Sequence, residues 1–265
     1  MLQTMSIQLY NAGMVHVATL ELLANLAEDQ WGLVTRQQAE GAGLAWTTLS
    51  RQASHGSALE RVAHGVYRIR GSPPPDHLQL RAAWMQLAPD TPVWERTPNQ
   101  GVVSHRSAAA VYGLGDLTAD RNEFTLPTRR QSRRSDVRFH RGHLGRGEWV
   151  NLGGLLVTRP ARIAADLLAD GEEPDAVAPI VVQALRQIND YPGTVADAIA
   201  PLAARFGLRR HDGLGLFRWL LDLAPDPDAL EWITEARAHM DRARSVKDGD
   251  KFAEEAGSPS GGRAL

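Results

Sequence analysis

The stretch from residue 31 to residue 70 constrains the fold most, because its strand, helix and turn signals follow one another in a recognisable order. Leu33-Val34 predicts a short apolar strand. Thr35 is a good N-cap residue for a short helix from Arg36 to Glu40. Gly41 and Gly43 end that helix, since glycine readily adopts the left-handed conformation that a helix exit needs.

A second helix and a β-hairpin complete this stretch. Residues 45–55 carry apolar side chains at helical spacing, which we expect to face the core: Trp46, Leu49 and Ala53. Leu59–Val62 and Val66–Ile69 then alternate apolar and polar residues, and Ala63-His64-Gly65 between them predicts a hairpin turn. The order of helix, turn, helix and hairpin predicts a winged helix-turn-helix.

The polar side chains of this stretch suit double-stranded DNA. In the second helix, Arg51 can read guanine and Gln52 can read adenine. The other candidate DNA-binding residues suit phosphates or base edges: Thr35, Arg36, Thr47, Thr48, Ser50, Ser54, Arg61, His64, Arg68 and Arg70. A solvated amphipathic helix carries the same residue types, and winged helices also dock proteins, so protein docking is the alternative interpretation.

The charge of the chain is unevenly distributed. The formal net charge is -2 at pH 7, yet residues 120–146 are rich in arginine and residues 166–235 are rich in acidic side chains. Four arginines flank a loop-like tip between two predicted strands: Arg129, Arg130, Arg133 and Arg134. We expect these arginines to form a second basic contact with the phosphates of DNA. A solvated loop, or pairing with the acidic C-terminal helices, is the alternative.

Helix and strand signals continue beyond the hairpin. Asp76 is expected to cap a helix that runs to about Ala88. Short strands are predicted at 102–103, 123–126, 137–140, 149–150 and 155–157, and a helix at 106–112. Further helices are predicted at 161–169, 175–188, 194–206, 211–223 and 228–244. The fold class predicted is α+β, with an N-terminal winged helix-turn-helix followed by an α+β domain with a helical C-terminal part.

A proline run suggests where the domains divide. Pro73-Pro74-Pro75 continues neither a strand nor a helix and favours an extended spacer. We therefore predict a winged helix-turn-helix domain at 15–70, a linker at 71–75, an α+β and helical domain at 76–244 and a flexible tail at 245–265.

Several function classes are disfavoured. The chain contains no cysteine, which excludes disulfides and thiolate chemistry, and nothing in it resembles a signal peptide or a membrane span. We expect a cytoplasmic protein with no membrane partner.

Signals for catalysis are weak. His140 and His143 have a spacing that a metal could use, but the surrounding arginines repel a cation. Ser104 and His105 are neighbours, and adjacency in sequence does not make a catalytic triad. No phosphate-binding glycine motif is complete. The prediction is a protein that is not an enzyme, with no cofactor and no metal.

Two phrases beyond the proline run carry a resemblance to a known family. Residues 103–114 read VSHRSAAAVYGL and residues 157–168 read VTRPARIAADLL. Both resemble blocks of the AbiEi-type antitoxin and transcriptional-regulator family, in which they follow a winged helix. Many relatives continue into a nuclease-like domain, whereas here acidic helices follow, so no hydrolytic role is carried over.

The resemblance implies an antitoxin of a type IV toxin-antitoxin operon. Its winged domain would repress the shared promoter by binding inverted repeats, which is autoregulation. A nucleotidyltransferase-type toxin would be encoded alongside, and the domain after the linker would counteract it. In that setting the arginine-rich loop could also contact an RNA-bearing toxin complex. The alternative is a protein-interaction module whose acidic helices sequester a basic partner, with DNA binding secondary. The sequence leaves the operator, the toxin and the oligomeric state open.

Overall fold

The structure, a computed structural model, describes residues 21–45, 47, 49, 50, 53 and 58–256. The chain divides into two compact units. Unit 1 comprises Met1–Val111 and Thr118–Thr158, and unit 2 comprises Tyr112–Leu117 and Arg159–Leu265. Helices and strands are mixed along the chain, as the predicted α+β class requires.

The first part of unit 1 is a winged helix, as predicted. Its helices are α1 at residues 21–28, α2 at Arg36–Gly41 and α3, of which Thr47, Leu49, Ser50 and Ala53 are described. Its strands are β1 at Leu33–Thr35, β2 at Leu59–Ala63 and β3 at Val66–Ile69. Strand β3 lies between β1 and β2 and pairs with both in the antiparallel direction.

Local chemistry explains the start of α2. The Thr35 hydroxyl accepts a hydrogen bond from the Gln38 backbone at 3.1 Å, and the Gln38 side chain accepts one from the Thr35 backbone at 3.0 Å. This reciprocal arrangement is a capping box, so the N-cap prediction for Thr35 is confirmed. Beneath it, apolar side chains form one buried cluster: Leu23, Val34, Ala39, Leu44, Leu49, Leu59 and Tyr67.

The wing has a shorter turn than the sequence suggested. Ala63 is the last residue of β2, which leaves His64-Gly65 as the turn. Gly65 has φ +69°, a left-handed conformation that glycine adopts without steric cost. Because the turn has two residues, the strand pairing continues almost to the tip of the wing.

The rest of unit 1 is built on a five-stranded sheet. Its helices are α4 at Leu78–Met85 and α5, which begins at His105 and ends at Tyr112. Its strands are β4 at Val102–Val103, β5 at Asn122–Leu126, β6 at Val137–Arg141, β7 at Trp149–Leu152 and β8 at Leu155–Thr158. The strand order is β6-β5-β4-β8-β7, with β5–β6 and β4–β8 parallel. All five predicted strands are present.

The prediction for α4 was wrong at both ends. The helix begins at Leu78, after His77 in a left-handed conformation with φ +54°, and no side chain caps it. Asp76 contributes its backbone carbonyl instead, which accepts a hydrogen bond from Arg81 Nε at 2.9 Å. The helix ends at Met85 rather than near Ala88, since the residue before a proline is disfavoured in helical geometry.

Unit 2 is helical, as predicted. Its helices are α6 at Pro160–Asp170, α7 at Pro174–Arg186, α8 at Pro192–Ile199, α9 at Gly213–Leu223 and α10 at Ala229–Ala256. The single helix predicted at 194–206 is instead α8 followed by a 3-10 stretch at Ala200–Phe206. Pro201 explains the change, because it has no backbone N–H to continue the α-helical ladder.

The last helix is longer than predicted. We expected α10 to end at Arg244 and a flexible tail to follow, but the helix continues to Ala256. Residues 245–256 contain several favourable helix formers, lysine, alanine and glutamate among them. The Gly/Ser/Pro-rich composition that suggested flexibility is concentrated after Ala256, and residues 257–265 lie outside the described part of the chain.

Candidate nucleic-acid interface

In the described part of α3, Leu49 and Thr47 lie on the sides of the helix that the periodicity predicted. Leu49 is buried in the core, Thr47 is exposed and Ser50 is half-buried. Four predicted DNA-binding residues of this helix region lie outside the described residues: Thr48, Arg51, Gln52 and Ser54. The part of the helix that the structure describes therefore has its apolar face inward and a short hydroxyl side chain outward.

The wing carries exposed basic side chains at both of its ends. Arg61 and His64 are exposed near the turn, and Arg70 is exposed after the end of β3. An Arg61 guanidinium nitrogen lies 3.3 Å from His64 Nδ1, so both side chains occupy the tip of the hairpin. A turn of this kind can approach a phosphate backbone, since an arginine and a histidine flank its tip.

Arg68 braces the wing instead of projecting from it. Its Nε and one terminal nitrogen donate to Glu60 Oε2 at 3.2 and 2.5 Å, and its other terminal nitrogen donates to the Ser72 carbonyl at 2.9 Å. The Arg68 guanidinium lowers the pKa of the Glu60 carboxyl from its ordinary value of 4.5, through the hydrogen bond first and the charge second. Arg68 thereby ties β2, β3 and the chain after the wing together.

Two other predicted contact residues also have partners inside the protein. Arg36 Nε lies 2.8 Å from Glu40 Oε1, one helical turn away, on an exposed surface. Thr35 is fully buried, and besides capping α2 its hydroxyl donates to the Pro89 carbonyl. A buried hydroxyl does not reach a phosphate, so the position of Thr35 does not favour a DNA contact.

The arginine-rich segment is a loop, residues 127–136, between β5 and β6; we call it the arginine loop. Arg130 donates to the Leu87 carbonyl at 3.0 Å and lies 5.6 Å from the centre of the Phe139 ring. Arg134 pairs with Asp136 and donates to Gln86. The Arg134 hydrogen bond and charge lower the pKa of the Asp136 carboxyl from its ordinary value of 3.8.

The other two arginines of the loop differ from these. Arg129 and Arg133 are exposed. Neither makes a side-chain hydrogen bond or ion pair with the residues that the structure describes. The four arginines that the sequence presented as one group therefore divide into two that hold the loop and two that are available to a partner.

A buried polar cluster on the five-stranded sheet was missed from the sequence. The His105 and His140 rings stack with centroids 3.4 Å apart, and His140 Nε2 lies 2.6 Å from Glu123 Oε2. Ser104 Oγ lies 3.0 Å from His105 Nδ1. In a catalytic triad, the carboxylate orients the same imidazole that accepts the serine proton, whereas Glu123 contacts the second histidine.

The fold and the wing together define a winged-helix protein with a basic hairpin. Residues 21–70 match the model of a family described as a transcriptional regulator, AbiEi antitoxin. The matched residues are those of the winged helix, and for this segment the resemblance stated from the sequence is confirmed.

Two further findings concern more than this segment. No curated protein matches it. In the described part of the chain, none of the helices combines the length and the apolarity that crossing a bilayer would need.

Proposed function

We propose that this protein is a DNA-binding transcriptional repressor and antitoxin of a toxin-antitoxin operon. It binds inverted repeats in its own promoter through the winged helix and counteracts a nucleotidyltransferase-type toxin. The observation that carries the proposal is the match of residues 21–70 to the AbiEi antitoxin regulator family. The exposed basic side chains of the wing support it, because phosphate contacts by such residues position a winged helix on DNA.

The proposed interface has two parts. The base-reading part is α3, where Arg51 contacts guanine and Gln52 contacts adenine. Hydroxyl residues of the same helix region flank them: Thr47, Thr48, Ser50 and Ser54. The backbone-contacting part is formed by exposed basic side chains: Arg36, Arg61, His64 and Arg70.

The antitoxin activity is proposed for the residues after the proline run, 76–244. No enzymatic activity, cofactor or metal belongs to the proposal, and the protein acts in the cytoplasm, where its promoter is. Two copies bind one operator, because the two halves of an inverted repeat are held by paired copies.

A protein-interaction module that sequesters a basic partner, with DNA binding secondary, is the alternative. The observation in its favour is the acidic surface of unit 2, where Asp222, Asp228, Glu231 and Glu235 are exposed. This alternative predicts that the isolated protein binds a basic peptide more tightly than it binds its own promoter.

Gel retardation of the promoter fragment, without metal or nucleotide, tests the proposal. The wild-type protein should bind this fragment more tightly than a random duplex. Arg51→Ala should cost about 1–3 kcal/mol at the specific site and change non-specific binding far less, because only the specific complex places this side chain on a base. Arg218→Ala is the matched control, since Arg218 is an exposed arginine of α9 in unit 2.

Three outcomes would contradict parts of the proposal. Equal binding of promoter and random DNA by the wild type would contradict operator recognition. Equal losses on both DNAs for Arg51→Ala would make Arg51 a phosphate contact. Metal-dependent cleavage of the fragment would indicate an enzyme. Growth rescue on co-expression with the adjacent toxin tests the antitoxin activity separately.

A further inference from the structure

A single side chain connects the tip of the wing with the arginine loop. Gln86 follows the last residue of α4 and is half-buried. Its amide nitrogen donates to the backbone carbonyl of His64, in the wing turn, at 2.6 Å. Its amide oxygen accepts a hydrogen bond from Arg134 of the arginine loop. Since both partners contact one amide group, the wing turn and the arginine loop lie within one side-chain length of each other.

Two further contacts hold the loop in this place. Arg134 pairs with Asp136, and Arg130 donates to the carbonyl of Leu87, the residue after Gln86. The loop is therefore anchored to the end of α4 by two arginines. The guanidinium groups of these two arginines already have hydrogen-bond partners inside the protein, and Arg134 neutralises the charge of Asp136.

Both of the elements that Gln86 joins carry exposed basic side chains without an anionic partner in the described residues. Arg129 and Arg133 are exposed on the loop, and Arg61 and His64 are exposed at the wing turn. We propose that the wing turn and the arginine loop form one continuous phosphate-binding surface for double-stranded DNA, with Gln86 as the positioning residue that joins them. This inference rests on the proposed DNA binding, and it extends the interface beyond residues 21–70.

The chemistry of the surface favours DNA backbone over other anions. Arginine presents a planar fork of donors that matches phosphate oxygens, and the positive charges here come from separate elements instead of a closed pocket. An extended row of cations fits a polymer with regularly spaced phosphates better than a single small anion. Such contacts carry no base information, so they add affinity without adding sequence preference.

The experiment is the salt dependence of DNA binding by full-length variants. The log of the affinity for the promoter fragment is measured against the log of the salt concentration, where each phosphate contact contributes about 0.9 to the slope. The double variant Arg129→Ala/Arg133→Ala should reduce the slope by about 1.8. Arg146→Ala is the control, because Arg146 is exposed in the same unit, in the connection that follows β6.

Gln86→Met tests the positioning role without removing any charge. Methionine has a similar volume but can neither donate to the His64 carbonyl nor accept from Arg134. The slope should fall by an amount comparable to the double arginine variant, because the loop is no longer held beside the wing. A residue with a purely structural role would lower the affinity or the melting temperature and leave the slope unchanged.

The outcomes separate this inference from the proposed function. If the wild type binds DNA and the double arginine variant keeps its slope, the arginine loop does not contact DNA, and the inference fails while the proposed function stands. If the double variant loses slope but Gln86→Met does not, Gln86 is not the positioning residue and that part fails. Failure of the wild type to bind DNA at any salt concentration overturns both.

Discussion

Arg96 is the clearest case of a residue whose role depends on its surroundings. Its side chain is only 7% exposed. Its guanidinium donates to the carbonyls of Trp84 at 3.2 Å, Met85 at 2.8 Å and Thr91 at 3.2 Å, and also to Ala88. The Trp84 and Met85 carbonyls belong to the last turn of α4, where intrahelical donors run out, and the Trp84 carbonyl also accepts from the Leu87 backbone at 3.0 Å. Burial lowers the pKa of Arg96 to about 10, so the side chain remains charged at neutral pH.

Replacing Arg96 should destabilise unit 1 strongly. Arg96→Met removes the donors from several carbonyls at once, and the free energy of unfolding should fall by roughly 1.5–3 kcal/mol. Urea denaturation measures the change. Arg146→Met, at an exposed arginine, should alter the same quantity by less than about 0.5 kcal/mol. Similar effects of the two substitutions would mean that the Arg96 hydrogen bonds contribute little.

The stability of the wing should depend on pH in the acidic range. The folded-state pKa of Glu60 is lowered by Arg68, so this ion pair stabilises the hairpin above the ordinary glutamate pKa of 4.5. That contribution is lost as the pH falls through the lowered folded-state pKa, because the protonated carboxyl no longer attracts the guanidinium. The wing should therefore loosen in acid before the buried cluster of the winged helix does.

An NMR titration of the Glu60 carboxyl tests this directly. Its midpoint should lie below 4.5 in the wild type and return towards 4.5 in Arg68→Gln, since the first cause of the shift is removed. Arg61→Gln is the control, because Arg61 lies on the same strand as Glu60 and contacts His64 instead. An unshifted midpoint in the wild type would contradict the bracing role given to Arg68.

At the scale of the molecule, the winged helix makes extensive contacts with the remainder of unit 1. Trp31 packs against Trp84 with ring centroids 6.0 Å apart, and Trp31 Nε1 donates to the Gly153 carbonyl at 2.7 Å. The Arg81 guanidinium lies 4.2 Å from the Trp31 ring centre. A Cβ at Gly154 would lie 3.0 Å from the same ring, so glycine permits this close approach. The domain division at 71–75 stays a prediction.

The contribution of these contacts can be measured by comparing the full chain with a fragment. In the full chain, Trp31→Ala should reduce the free energy of unfolding by on the order of 2 kcal/mol, from lost apolar burial and lost ring contacts. In a fragment of residues 1–72 the same substitution should cost far less, because Trp84, Arg81 and Gly153 are absent. Urea denaturation of the full chain and of the fragment, each with and without Trp31→Ala, measures the cost of the substitution in both.

Trp94→Ala serves as the control in the full chain, since Trp94 is 53% exposed. Equal costs of Trp31→Ala in the chain and in the fragment would show that Trp31 acts within the winged helix alone. A fragment that does not fold would contradict the predicted division between the winged helix and the following domain.

Features that depend on neighbours along the chain could be predicted from the sequence. The capping box at Thr35 involves residues three apart, and the turn at Gly65 directly joins two short strands that each begin with a buried apolar residue. The five strands of the second sheet and the helices of unit 2 follow from local periodicities. Such local patterns can be recognised in the sequence, so the winged helix and the α+β class could be predicted.

Contacts between side chains that are far apart in the sequence depend on the tertiary packing, and no local pattern predicts them. Gln86 meets His64 and Arg134, Arg96 meets the end of α4, and Glu123 meets His140. No spacing rule distinguishes Arg129 and Arg133 from Arg130 and Arg134, because the difference depends on where the end of α4 lies against the arginine loop. Composition supplied the charges, but three-dimensional packing determined which of them are satisfied inside the protein and which are left for a partner.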